Sequence, residues 1–181
     1  LGVLRSAESV GGITIEPQAS VGIALYPADG EDFDRLLRNA DAAMYRGKSA
    51  GGGRVVFFEE SMNVQALRRL HVEAGLRRAL QSDGLQSNSL QLAYQPKVSL
   101  QDGSLHGVEA LMRWHDAELG TVPPTEFIAV AEESGLIHEL GKRAFRQAID
   151  FARRCLDANV PIGHVAVNVS MLQLRNADLC D

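Results

Sequence analysis

A glutamate and an arginine stand four residues apart in the run Leu105–Trp114, with a leucine midway between them: Glu109, Leu111 and Arg113. Successive residues of an extended strand point to opposite faces, so these three share one face while Val108, Ala110, Met112 and Trp114 share the other. At about 3.3 Å per residue the two charges lie roughly 13 Å apart, too far to pair directly. An inward-facing charge without a partner is costly. A divalent cation at Glu109 and a phosphate at Arg113 would satisfy both. The alternative is a strand at a sheet edge with both side chains solvated, since alternation of polar and apolar residues is what any one-sided sheet shows. Asn168, a carboxamide in the valine-rich run Gly163–Val169, is either a hydrogen-bonding core residue or a hard oxygen ligand for a divalent cation. Pattern alone leaves both pairs of alternatives open.

These residues depend on the elements that carry them. Two alternating runs, Leu90–Leu100 and Ser104–Trp114, flank Gln101-Asp102-Gly103 and predict a β-hairpin. A three-residue loop ending in glycine suits a type I turn followed by a left-handed glycine bulge. If Leu100 pairs with Ser104, then Gln95 stands opposite Glu109 and Gln91 opposite Arg113; a two-residue loop would instead set Pro96 against Glu109. Pro123-Pro124, with Thr125 as cap, opens a short helix through Phe127, Ile128, Val130 and Ala131 that stops near Gly135. A longer helix follows, its stripe Leu140, Ala144, Phe145, Ala148, Ile149, Ala152 and Leu156 ending at Asn159 and Pro161. Gly163–Val169 reads as a buried strand with Val165, Val167 and Val169 on one face.

Upstream, Ser20–Tyr26 reads as a strand, and Phe33, Leu36, Leu37, Ala40, Ala43, Met44 and Gly47 fall at helical spacing behind Asp32 or Asp34 as cap. With the apolar segment Val55–Phe58 this makes a small α/β unit, too small to bury a good core alone. A connecting helix is predicted from Val64 to Leu80, and the turn-forming run Asp83–Ser89 then breaks the pattern. The domains therefore read as 1–58, a connector over 59–83, and 84–181. The 18 basic against 23 acidic residues give a net charge of −5, which offers no general footprint for DNA. Two cysteines, Cys155 and Cys180, cannot build a disulfide framework. No apolar run is long enough to span a membrane and no signal pattern opens the chain, so a cytoplasmic protein is expected.

The blocks Leu92–Val98, Gly107–Trp114, Pro123–Ile128, Ala131–Ile137 and Val167–Ser170 closely resemble, in order and spacing, the start of EAL domains, which are cyclic-di-GMP phosphodiesterases. Ser20–Ala24, Leu36–Asp41, Ala43–Arg46 and Lys48 resemble the C-terminal end of a GGDEF domain, and the connector looks like the usual one of that tandem. The resemblance implies an α/β architecture: a GGDEF remnant joined by a helix to the first part of a TIM-like (β/α)8 barrel. Both parts are expected to be incomplete, because a full barrel needs about 250 residues.

By the same resemblance, Glu109 and Asn168 are ligands of a catalytic pair of Mg²⁺ or Mn²⁺ ions, Arg113 clamps a phosphate of cyclic-di-GMP, and Gln95 and Leu111 line the pocket. Two ligands cannot hold two ions well, so the piece is expected to be inactive alone. Glu118, Glu126, Glu132 and Glu133 read as solvated acids that do not rescue it. Lys48 matches a cyclase residue that reaches substrate phosphates. Four residues later Gly52 stands where the family usually has arginine, so the cyclase phosphate site reads as degenerate, with Asp41 and Tyr45 structural. The implied activity is hydrolysis of cyclic-di-GMP to linear pGpG; the alternative is a catalytically degenerate receptor or scaffold. A homodimer through the EAL part or the connector is a further arrangement open to such a protein.

Overall fold

The computed structural model describes residues 8–11, 13–15, 18–81 and 89–175, and the chain divides into two compact units between Arg68 and Arg69. In the first unit β1 (Glu8–Val10) and β2 (Ile13–Ile15) form an antiparallel pair that the sequence reading did not anticipate. β3 (Val21–Ile23) and β4 (Val55–Phe57) are parallel, and α1 (Phe33–Ser49) is the crossover that a parallel pair requires. Asp32 caps α1, its carboxylate accepting from the Arg35 amide at 2.7 Å. β3 is shorter than the predicted Ser20–Tyr26. The Leu25 amide donates to the Asp29 side chain at 2.6 Å, which turns the chain out of the ladder. α1 packs closely on β3 at Gly22, where a Cβ would run into the Ala40 carbonyl. Ala43, Phe58 and Met62 form the core of this unit.

α2 (Glu60–Gln81) starts four residues before the helix predicted from Val64 to Leu80 and runs across the division. The predicted break after it, apart from Ser89, lies outside the described residues, as do the 83/84 boundary and Cys180.

The second unit is a four-stranded sheet covered by helices. Its strands are β5 (Leu90–Val98), β6 (Leu105–Asp116), β7 (Gly120–Val122) and β8 (His164–Val167). β6 pairs antiparallel with β5 and β7 and parallel with β8, so it is a central strand and the sheet-edge alternative for Glu109 falls. The hairpin register agrees with expectation: Gln95 opposes Glu109 and Gln91 opposes Arg113. Its loop does not. Ser99 rather than Leu100 faces Ser104, through Ser99 N–H to Ser104 O and Gly103 N–H to Ser99 O, both 2.9 Å. The loop is thus one residue longer, and a β-bulge that leaves His106 as the extra residue, between the pairs Lys97–Gly107 and Val98–Leu105, restores the register. Gly103 does take the left-handed conformation, at φ 72°.

α3 (Pro124–Ser134) has no side-chain cap; Pro123 is the cap residue and Pro124 occupies the first turn, so the predicted role of Thr125 is corrected. Gly135 ends α3 at φ 77° and α4 (Ile137–Asp157) follows. β8 is only half-buried, against the buried strand expected, because its valine face and Ile149 and Leu156 of α4 line an open crevice. The four-residue α5 (Met171–Leu174) closes the described chain. Trp114, Phe127, Leu76, Leu90, Val72 and Val122 are the largest fully buried side chains and lie in this unit. Among the described residues no helix is long and apolar enough to cross a membrane.

Candidate active site

The pleat of β5 and β6 sets Gln91, Ala93, Gln95 and Lys97 on the same face as Glu109, Leu111 and Arg113. Gln95 lies directly across from Glu109, and Ala93 across from Leu111. On the other flank β8 runs parallel, with Ala166 beside Glu109 and Val167 beside Ala110, so Asn168 emerges from the strand next to the carboxylate. Asn168 Nδ2 donates to Glu109 Oε1 at 2.9 Å. Asn168 is exposed, so it is not the core hydrogen-bonder that was one of its two readings.

Glu109 is not the unpartnered acid the sequence suggested. Lys97 Nζ stands 3.4 Å from its Oε2, so both carboxylate oxygens have partners. Lys97 was missed, although its spacing from Gln95 places it on the same face, diagonally across from Glu109. The hydrogen bond from Asn168, then the hydrogen bond and charge of Lys97, hold the Glu109 carboxyl below its ordinary value of 4.5. A carboxyl depressed on folding stabilises the fold above its unfolded pKa, and that contribution disappears as pH falls through the lower folded value. Asn168→Ala and Lys97→Ala should each move the Glu109 titration upward. A carboxyl-carbon NMR titration measures this, and an unmoved midpoint in both variants would refute the two contacts.

Arg113 stands apart from this cluster. It is exposed, and its Nη1 donates to the Met112 carbonyl at 2.9 Å. Leu111 is half-buried between it and Glu109. The structure therefore joins Glu109, Asn168, Gln95 and Lys97, and leaves Arg113 further along the same face.

Three of the acids read as solvated have partners. Glu132 is half-buried and accepts from the Ser170 hydroxyl at 2.5 Å, and Glu133 forms an ion pair with Arg69. Glu118, exposed, lies 3.4 Å from Arg78. In the first unit Lys48 is exposed in the last turn of α1. Gly51, Gly52 and Gly53 all have positive φ, with Gly52 at 73°. An arginine there would cost roughly 1–2 kcal/mol for a left-handed backbone, so glycine suits this turn.

Residues 75–181 match the family model for the EAL domain, and residues 3–54 match that for the diguanylate cyclase, GGDEF domain. The bifunctional diguanylate cyclase/cyclic di-GMP phosphodiesterase MucR of Pseudomonas aeruginosa is 42% identical over 163 residues, 90% of this chain and 23% of that protein. The cyclic di-GMP phosphodiesterase PdeR of Escherichia coli is 38% identical over 173 residues, 96% of this chain and 25% of that protein. The chain thus spans about a quarter of the length of these curated relatives. Among solved structures, PaMucR phosphodiesterase in its c-di-GMP complex aligns with a TM-score of 0.54 and 37% identity, covering 60% of this chain and 42% of that one. The EAL enzyme Bd1971 in its cAMP-bound form, at 23% identity and a TM-score of 0.52, covers 83% of this chain and 37% of that one and shares the fold. With the family model matched over residues 75–181 and a GGDEF segment preceding it, the chain belongs to the EAL domain family.

Proposed function

We propose that this chain is part of a phosphodiesterase that opens cyclic-di-GMP to linear pGpG by divalent-metal-assisted attack of water. The observation that carries the reading is Glu109, kept anionic between Asn168 and Lys97 and set opposite Gln95 on the open face of a central strand. The names of MucR and PdeR, and the cyclic-di-GMP bound to PaMucR, support this substrate class.

A carboxylate and a carboxamide oxygen are hard ligands that suit Mg²⁺ or Mn²⁺, and they fill two of about six positions on such an ion. No group of three or more His, Cys, Asp or Glu side chains gathers among the described residues, so water, substrate oxygens or residues beyond those described complete the shell. Glu109 and Asn168 would hold the ion, which when bound lowers the pKa of water and polarises the phosphoryl group. Asn168 now offers Nδ2 to Glu109; a half-turn of the same amide offers Oδ1 instead. Lys97 fixes the carboxylate through Oε2 and offsets its charge until a cation arrives. Gln95 and Leu111 line the face on which the dinucleotide lies.

Arg113 supplies a planar fork of donors for a phosphate. A charged hydrogen bond of about 1.5–3 kcal/mol corresponds to about 10- to 100-fold in binding. Arg113→Ala in the full-length protein should raise KM for cyclic-di-GMP by that factor and lower kcat less. Product formation against substrate concentration measures it, and an unchanged KM would remove Arg113 from the site.

A second reading, a receptor that binds cyclic-di-GMP without cleaving it, draws on Gly52, which stands where the resemblance to GGDEF domains leads one to expect a phosphate-binding arginine. Calorimetric binding with no pGpG formed would establish it.

A further inference from the structure

Asn168 sits two residues before the cap of a helix that is too short to hold itself. A single turn fixes more backbone than its hydrogen bonds repay, and α5 has four residues. Further contacts must hold it: a capping box within the turn and one hydrogen bond from Ser170 to another helix do so. Ser170 caps α5, its Oγ accepting from the Leu172 amide at 3.3 Å, and donates the same hydroxyl to Glu132 of α3 at 2.5 Å. The Ser170 amide donates to Gln173 Oε1 at 3.0 Å, completing a capping box. Gln173 is buried, 4% exposed, and presses against α4 at Gly141, where a Cβ would run into its amide. Apolar packing does not do this work. A cavity of about 350 Å³, lined in part by Leu111, Glu132, Asn168, Ser170 and Gln173, opens beside the turn.

We propose that Glu132, Ser170 and Gln173 form a latch between α3, α4 and α5 that sets the position of the Asn168 amide beside Glu109. Glu132 and Ser170 are then positioning residues for the cation site. This rests on the reading of Glu109 and Asn168 as cation ligands.

Removal of an outer group that orients a metal ligand costs about 10- to 100-fold in affinity. The test is Mn²⁺ affinity of the full-length protein, read from the electron paramagnetic resonance signal of the unbound ion, with circular dichroism melting alongside. Ser170→Ala and Glu132→Ala should each weaken Mn²⁺ binding about tenfold. Glu132→Gln keeps an oxygen to accept from Ser170 and should return affinity to within about threefold of the parent. A merely structural role would move melting in all variants without this rescue. If Ser170→Ala fails to fold, the Glu132→Ala and Glu132→Gln pair decides. Asn168→Ala separates the two claims: if it leaves Mn²⁺ affinity unchanged, the ligand reading fails and the latch with it. If it weakens binding while Ser170→Ala and Glu132→Ala do not, the latch alone is overturned.

Discussion

Glu109→Gln in the full-length protein should lower kcat for cyclic-di-GMP hydrolysis by about a thousand-fold or more, equivalent to about 4 kcal/mol of barrier. The substitution preserves shape and leaves one side-chain oxygen to accept from Asn168 or Lys97, so the hairpin and β8 keep their pairing. It removes the negative charge. A neutral amide oxygen is a much poorer ligand for a hard divalent ion than a carboxylate. Because Glu109 lies on a strand flanked on both sides by hydrogen-bonded neighbours, no backbone shift can bring another acid into its place. The comparison is single-turnover conversion to pGpG by variant and parent, with melting curves matched. A loss of tenfold or less would mean that the carboxylate is not a ligand in the rate-determining complex.

Trp114→Ala should destabilise the second unit by about 2 kcal/mol. Trp114 is 1% exposed, meets Phe127 edge to face with centroids 5.8 Å apart, and lies against Gly75. Truncating a buried tryptophan costs about 3–5 kcal/mol. One feature works in the other direction: Trp114 Nε1 is buried and meets no hydrogen-bond acceptor among the described residues, and removing an unsatisfied donor returns about 1–3 kcal/mol. Cavity loss is the larger effect, so the net sign is destabilising. Trp114→Phe keeps most of the ring and discards the unpaired N–H, and should cost less than about 1 kcal/mol. Since the chain has one tryptophan, urea unfolding must be followed by circular dichroism at 222 nm. Equal losses in the two variants would show that ring volume is not what Trp114 contributes.

The face shared by Glu109, Leu111 and Arg113 was legible because strand alternation leaves no freedom once a run is assigned. The pairing of Gln95 with Glu109 was legible too, yet it comes from a longer loop and a compensating bulge at His106. A turn motif constrains local backbone, whereas register answers to the burial of Val108, Ala110 and Trp114. What stayed hidden was contact between elements distant in sequence. Nothing near Glu132 announces Ser170, thirty-eight positions away, and Asn168 shows its role only when β8 lies beside β6. Short elements also escaped. β7 and α5 have three and four residues, barely more than one period of either pattern, and their existence depends on β6 and on the latch.

Anomalous diffraction at the manganese edge, from crystals of the full-length protein grown with Mn²⁺ and cyclic-di-GMP, addresses the site directly. The assignment of Glu109 and Asn168 as cation ligands places a manganese peak about 2.0–2.6 Å from the Glu109 carboxylate and the Asn168 Oδ1, with a ligand phosphate against Arg113. Bound manganese that leaves Glu109 on Lys97 and Asn168 alone, with its ligands elsewhere, would contradict it.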